Sequence, residues 1–240
     1  DEPHQQSLQD WVLYTQNIVC KYYADSILVH GDKRILPLIS DRTKQANSVQ
    51  IIKDIEHIVK YTGYVCDKDQ PIHNQNNNIY VSTGLNKDES VLLFKKIAEI
   101  AHLYPNHKFI MPIANKYNSM GGRRNKNIYL VEYVPELRKK LTTCAGYITY
   151  GGYNATVEIL KGQIPSILVP RQSGKKMEQF VRAFTFEPYD FYKVLTMQEF
   201  DNIKVLLDKI IYGYKPKPFK FNLEGASNTA KFLSEIYNES

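Results

Sequence analysis

Gly151-Gly152 and Glu158 are the residues of this chain whose types and spacing point most directly to chemistry. Adjacent glycines let a backbone turn sharply and come close to another molecule, and a helical pattern, Asn154 to Lys161, follows them. A helix that opens on such a turn presents amides with no partner inside it, and an anion is their natural occupant. Glu158 stands one turn further in, placed to accept hydrogen bonds from neutral hydroxyls beside that anion. A phosphate next to a diol describes a nucleotide. The flanking strands, Gly146 to Thr149 and Ser166 to Val169, complete a strand, turn, helix, strand unit of the kind that connects parallel strands.

A second turn of small residues, Ser82-Thr83-Gly84, follows the apolar run Ile79-Tyr80-Val81. Either turn taken singly is explained by sterics alone. Two of them after strands of one sheet point to the crevice beyond the carboxyl ends, where ligands of open α/β sheets bind. The loop Arg171-Gln172-Ser173-Gly174 follows Pro170 and is expected at that edge, with Glu178, Gln179 and Arg182 beyond it. Short polar side chains and an acid-amide pair suit sugar hydroxyls, and Arg171 or Arg182 suits a diphosphate; a merely solvated loop is the alternative. The chain has no GxxxxGK[ST] or GxGxxG phosphate loop, no serine elbow and no HExxH. Asp67 and Asp69 spell the DxD of some metal-dependent transferases, but they sit in a polar linker without a second cluster, so no metal is expected. His30, ending a short strand, is expected to be structural.

The elements that must position these residues alternate between strand and helix, which argues for an α/β fold with a parallel sheet covered on both faces. Leu8 to Tyr23 carries an apolar helical face, Ser26 to His30 a short strand, Lys53 to Lys60 a weak helix and Tyr61 to Val65 another strand. Asp67 to Asn78, rich in Asn and Gln, has the composition of a linker and marks a domain boundary. Beyond it come a strand to Gly84, a helix over Asp88 to Leu103 with Val91, Leu92, Phe94, Ile97, Ile100 and Ala101 inward, and strands over His107 to Ile113 and Asn127 to Val134. Pro135 suits the start of a short helix. After the central unit, a helix is expected from Gln198 to Tyr212, a break at Lys215-Pro216-Lys217-Pro218, and a last helix from Leu223 to Tyr237 through Ala226, Ala230, Phe232, Leu233 and Ile236.

At 240 residues with 43% hydrophobic content the chain has ample material for a core. A net charge of +6 spread over this length, without a dense basic block, does not call for nucleic acid, and none is expected as a partner. The three cysteines, Cys20, Cys66 and Cys144, are far apart and lack CxxC spacing, which favours a reducing compartment over a disulfide scaffold or zinc site. No apolar run approaches the ~20 residues that span a bilayer. A cytoplasmic protein is expected, peripheral to the inner face of a membrane at most.

These residues together resemble the donor-binding half of a GT-B glycosyltransferase, specifically the C-terminal domain of glycosyltransferase family 28, and within it a group of bacterial predicted glycosyltransferases. The likeness is carried by Ile79 to Gly84, by Tyr133-Val134-Pro135-Glu136-Leu137, by Tyr150-Gly151-Gly152-Tyr153-Asn154 through Glu158, and by Pro170-Arg171 with Glu178-Gln179 and Arg182-Ala183. It spans about Asn78 to Ala183; Ala24 to Asp32 and Tyr61 to Val65 resemble the end of the N-terminal domain in the predicted group.

The resemblance implies a Rossmann-like parallel sheet, with residues 1–72 as the end of an acceptor-side domain plus linker, 73–215 as the nucleotide-sugar-binding domain and 216–240 as a C-terminal helix. It implies transfer of a sugar, with inversion, from a nucleotide diphosphate sugar, a UDP-sugar being the expected donor, to an acceptor hydroxyl. Ser82, Thr83 and Gly84 would lie near the diphosphate, Val134 near the base, and Gly151, Gly152, Tyr153, Asn154 and Thr156 would present amides to phosphate. Glu158 would bind the ribose, and Arg171, Ser173, Gly174, Glu178 and Gln179 would complete the site. Where many relatives have threonine after the asparagine, this chain has Ala155. No catalytic base is identified and no cofactor is expected; the base and acceptor site would come from an N-terminal domain or a partner subunit. A non-catalytic subunit and a GT-B-fold nucleotide-sugar epimerase are the alternatives.

Overall fold

The computed structural model describes residues 20–34, 38–39, 49–50, 53–66, 76–82, 87–112, 125–171, 178–217 and 219–239. The chain forms two compact units, one of Asp1–Lys68, Ser173–Lys175 and Phe219–Ser240, the other of Asp69–Gln172 and Lys176–Pro218.

In the smaller unit β1 (Ile27–Val29) pairs in parallel with β4 (Val59–Tyr61), and β2 (Leu38–Ile39) with β3 (Val49–Gln50). Lys53–Ile58 is a 3-10 helix, and the strand expected over Tyr61 to Val65 instead ends at Tyr61. Gly63 is the reason: its φ of +88° turns the chain out of the extended region. The turn meets the start of the C-terminal helix (Gly225–Glu239), where Tyr64 N donates to Asn222 O at 2.7 Å and Gly225 N to Tyr64 O at 3.0 Å. Asn228 Nδ2 adds a bond to Thr62 O at 2.7 Å. The helix buries Gly225 and half-buries Asn228, Thr229, Phe232 and Ile236, a stripe at three- and four-residue spacing; Ala226, Ala230 and Leu233, expected inward, are exposed.

Asp32, 6% exposed, is bonded by the Arg34 guanidinium, which also donates to Lys220 O at 2.7 Å. That partner holds the Asp32 carboxyl below its usual range. A depressed carboxyl stabilises the folded state above the unfolded value of about 3.9, and the contribution is lost as pH falls through the folded value. Asp32→Asn is therefore expected to lower the urea midpoint of this unit at neutral pH, with the gap from the parent protein closing as pH drops below about 4. Urea titrations at a series of pH values check this.

The larger unit holds β5 (Asn78–Val81), β6 (Lys108–Pro112), β7 (Ile128–Val131), β8 (Gly146–Thr149), β9 (Ser166–Leu168) and β10 (Lys193–Val194). They form one six-stranded parallel sheet in the order β10-β9-β8-β5-β6-β7. From the other edge this is the 3-2-1-4-5-6 order of doubly wound sheets, so the expected Rossmann-like α/β architecture is present. β8 and β9 are buried at every position, as strands covered on both faces must be, whereas β7 at the edge is only partly buried. β10 carries no sequence signal because two residues display no period.

The α-helices described in the larger unit are α1 (Lys87–Ile100), α2 (Leu137–Leu141), α3 (Tyr153–Gly162), α4 (Glu178–Phe186) and α5 (Ile203–Tyr212). Leu93, Phe94 and Ile97 of α1 share one core with Ile203, Leu207 and Ile210 of α5 and with Ile79, Phe109 and Ile148 of the sheet. Leu92, expected inward, is 40% exposed. Its neighbour Leu93 takes the place because Leu93, Ile97 and Ala101 stack at four-residue spacing. Asn127 Nδ2 ties down the chain before β6 by donating to the carbonyls of Ala101, Tyr104 and His107 at 2.8, 3.0 and 3.1 Å.

Candidate functional site

Because the strands are parallel, the segments after β5, β6, β7, β8 and β9 all leave at one edge of the sheet. The order reverses between β5 and β8, and chains leaving such a switch point in opposite directions open a crevice. Ser82 stands there, directly after β5. Its amide extends the ladder to Ile148 O at 2.9 Å, and its hydroxyl is bonded to Tyr147 Oη at 2.8 Å and donates to Thr149 Oγ1 at 3.2 Å. Tyr147 and Thr149 are buried, and burial pushes the Tyr147 phenol above its ordinary value. In the sequence these two residues look only like strand interior; the pairing of β5 with β8 makes them supports for Ser82.

Across the switch point Gly151 has a φ of +75°, the left-handed region that favours glycine, and an added Cβ would lie 3.2 Å from Leu168 Cδ1. Gly152, extended at φ −61° and ψ 159°, caps α3. The first intrahelical bond runs from Thr156 N to Gly152 O at 2.9 Å, so the amides of Gly152, Tyr153, Asn154 and Ala155 have no acceptor inside the helix. Arg182 of α4 donates from Nη1 to Gly151 O at 3.4 Å, and its guanidinium carbon lies 5.6 Å from the centre of the Tyr153 ring. A helix N-terminus, a tight glycine turn and a guanidinium therefore converge, each favouring negative charge.

Thr156 points inward. It is buried, its amide is used in the helix, and Oγ1 donates to Gly151 O at 3.3 Å. Its task is to hold the turn. Removing that hydroxyl from a buried carbonyl by Thr156→Val is expected to cost about 1 kcal/mol, measurable as a lower urea midpoint at unchanged slope.

Glu158 lies deeper in α3 with its side chain 16% exposed and Oε1 3.2 Å from Arg138 Nε of α2. Arg138 is not among the residues the sequence points to, so this partner is apparent only in three dimensions. Near the ends of β5 and β6 and just past β7 opens a cavity of about 170 Å³, walled by Val81, Ser82, Pro112, Tyr133, Val134 and Leu137 among others. Val134 is buried, while Tyr133 is 75% exposed. Flat apolar walls of this kind suit a heterocycle.

Arg171 follows β9 at the same edge. Its amide donates to Gln179 Oε1 at 3.4 Å, and its Nε is buried without a hydrogen-bond partner among the described residues. An acceptor on a ligand would relieve the cost of that orphaned donor. Glu178 opens α4. Thr83, Gly84, Ser173 and Gly174 lie outside the described residues, as do Asp67 and Asp69. His30 Nδ1 is hydrogen-bonded to Thr62 Oγ1 at 2.7 Å. Among the described residues no group of three His, Cys, Asp or Glu is placed to hold a metal, and no helix is long and apolar enough to cross a membrane.

No protein-family model matches the chain, and no curated protein matches its sequence. Solved structures do match. The glycotransferase of kitacinnamycin aligns at TM-score 0.59 and 13% identity over 99% of this chain and 59% of its own. CalG4, the calicheamicin glycosyltransferase, aligns at TM-score 0.52 and 16% identity over 98% of this chain and 58% of its own. A Listeria monocytogenes protein assigned as a UDP-N-acetylglucosamine 2-epimerase aligns at TM-score 0.51 and 13% identity over 77% and 55%. The chain thus spans a little over half the length of these neighbours. At such identities the likeness speaks to fold, and the fold is that of the GT-B glycosyltransferases.

Proposed function

We propose that this chain carries the nucleotide-sugar half of a glycosyltransferase that moves a sugar, with inversion, from a UDP-sugar to an acceptor hydroxyl. The observation that carries the reading is the meeting, at one switch point, of a helix N-terminus, an apolar cavity and a half-buried carboxylate. The diphosphate would lie on the amides of Gly152 to Ala155 beside Arg182, with Ser82 facing it. The base would enter the cavity at Val134 and Tyr133, the ribose would bind Glu158, and Arg171 with Gln179 would face the sugar. Helix amides and arginine would stabilise the departing diphosphate in place of a cation. Residues 73–215 would form this domain. The acceptor site and the base that deprotonates the acceptor would be supplied by an N-terminal domain or partner subunit, at the inner face of the membrane where the acceptor is lipid-linked.

Calorimetry with UDP, GDP, ADP and dTDP tests the reading. UDP is expected to bind most tightly, with affinity unchanged by EDTA, and failure of all four to bind would overturn it. The epimerase-like neighbour supports a second reading. Incubation with UDP-N-acetylglucosamine alone separates the two, since an epimerase changes the sugar without an acceptor.

A further inference from the structure

The opposite edge of the same sheet holds a second and larger cavity, of about 460 Å³. Its walls come from residues that stand just before the strands, Asn77 before β5 and His107 before β6, joined by Asn106 and by Tyr212 and Tyr214 at and beyond the end of α5. Its size falls within the roughly 300–1,000 Å³ of small-molecule sites. Being at the amino ends of the strands, it is separate from the site described above.

His107 is 9% exposed, and its Nδ1 is buried without a hydrogen-bond partner among the described residues. The ring is braced edge-on by Tyr104 and Tyr212 at centroid distances of 6.3 and 6.4 Å, and the His107 carbonyl is one of the three held by Asn127. Burial lowers the imidazole's affinity for a proton. The ring lines the cavity, so a ligand there would lie against it.

The chemistry of the walls selects the class of ligand. No Lys, Arg, Asp or Glu is among the lining residues. The carbonyls ending α5 carry the negative end of the helix dipole, which repels anions and accepts hydrogen bonds from hydroxyls. Carboxamides of Asn77 and Asn106 offer both donors and acceptors, and the tyrosine rings offer apolar faces. A ring with hydroxyls on its rim and C–H bonds on its faces matches this set.

We propose that this amino-edge cavity is a second binding site, for one ring of a neutral saccharide. A bound ring is held at its rim by hydrogen bonds to Asn77 and Asn106 and packs a C–H face against Tyr212, beside His107. Such a site anchors a glycan at a distance from the reaction centre.

The test is an NMR titration of the full chain with glucose, mannose and N-acetylglucosamine, following the His107 ring signals, with glucose 6-phosphate and glucuronate as charged counterparts. At least one neutral sugar is expected to shift the His107 signals saturably, with affinity unaltered by saturating UDP and by Glu158→Gln. Tyr212 is 70% exposed, so Tyr212→Ala should fold normally, and with Asn106→Ala it is expected to weaken the sugar tenfold or more. The proposal is overturned if no neutral sugar shifts His107, if only the charged ones do, if UDP displaces the sugar, or if both variants bind it as well as the parent protein.

Discussion

Glu158→Gln is expected to weaken UDP binding ten- to hundredfold, about 1.4–2.7 kcal/mol, while leaving the fold intact. Hydrogen bonds to a charged acceptor contribute roughly 1.5–3 kcal/mol each, and the carboxamide keeps the shape but loses the charge and one acceptor. The ion pair with Arg138 is a lesser effect. Arg138 is 58% exposed, and pairs with one solvated partner contribute about 0–1 kcal/mol. Binding should therefore fall far more than stability. A deoxy ligand makes the test specific: the parent protein should prefer UDP to 2′-deoxy-UDP, and the variant should lose most of that preference. Equal discrimination in both proteins would remove Glu158 from the ribose.

The second large effect is expected at Gly225. A Cβ there would lie 2.6 Å from Tyr64 C, 2.7 Å from Gly63 O and 2.7 Å from Tyr64 O, all backbone atoms that cannot rotate away. Alanine is the better helix former by up to about 1 kcal/mol, but overpacking against backbone costs about 3 kcal/mol, so the clash wins. Gly225→Ala should lower the unfolding transition of the smaller unit and expose the Thr62–Asn228 contact to solvent exchange. UDP affinity, which is proposed for the larger unit, should stay within twofold. An unchanged transition would mean that the helix start does not approach the Gly63–Tyr64 backbone this closely.

The α/β fold with its parallel sheet and its alternating elements were legible in the sequence because each element rests on a local pattern. The helix after Gly152 shows its apolar period, and the strands Asn78–Val81, Lys108–Pro112 and Gly146–Thr149 are apolar runs bounded by breakers. Gly151 adopts the positive φ that a Gly-Gly pair makes available at no steric cost. Where the sequence misled, neighbouring positions competed for one face. Leu92 and Leu93 are equally apolar, and only packing against the sheet chose Leu93. Ala226, Ala230 and Leu233 form as good a stripe as Gly225, Asn228 and Phe232, and the close approach of backbone at Gly225 chose the latter.

Side-chain roles divide in the same way. Thr156 is expected to present its amide to phosphate, yet that amide is bonded to Gly152 O within the helix and the curl of the turn points its hydroxyl at Gly151 O. Arg138 and Glu158 are separated by twenty positions and meet because α2 and α3 flank one strand. The hydroxyls of Ser82, Tyr147 and Thr149 join because β5 and β8 are neighbours.

Dihedral preference and periodicity act over a few residues, and they set the kind and order of the elements and the glycine turn that opens a helix. The strand order emerges only on folding, and with it the switch point, the cavity at Tyr133 and Val134, and the second cavity around His107. Parallel strands, buried on both faces, carry nearly the same apolar run whichever neighbour they take. The choice between neighbours is settled by the packing of helices and connections across the whole sheet, and no local stretch encodes it.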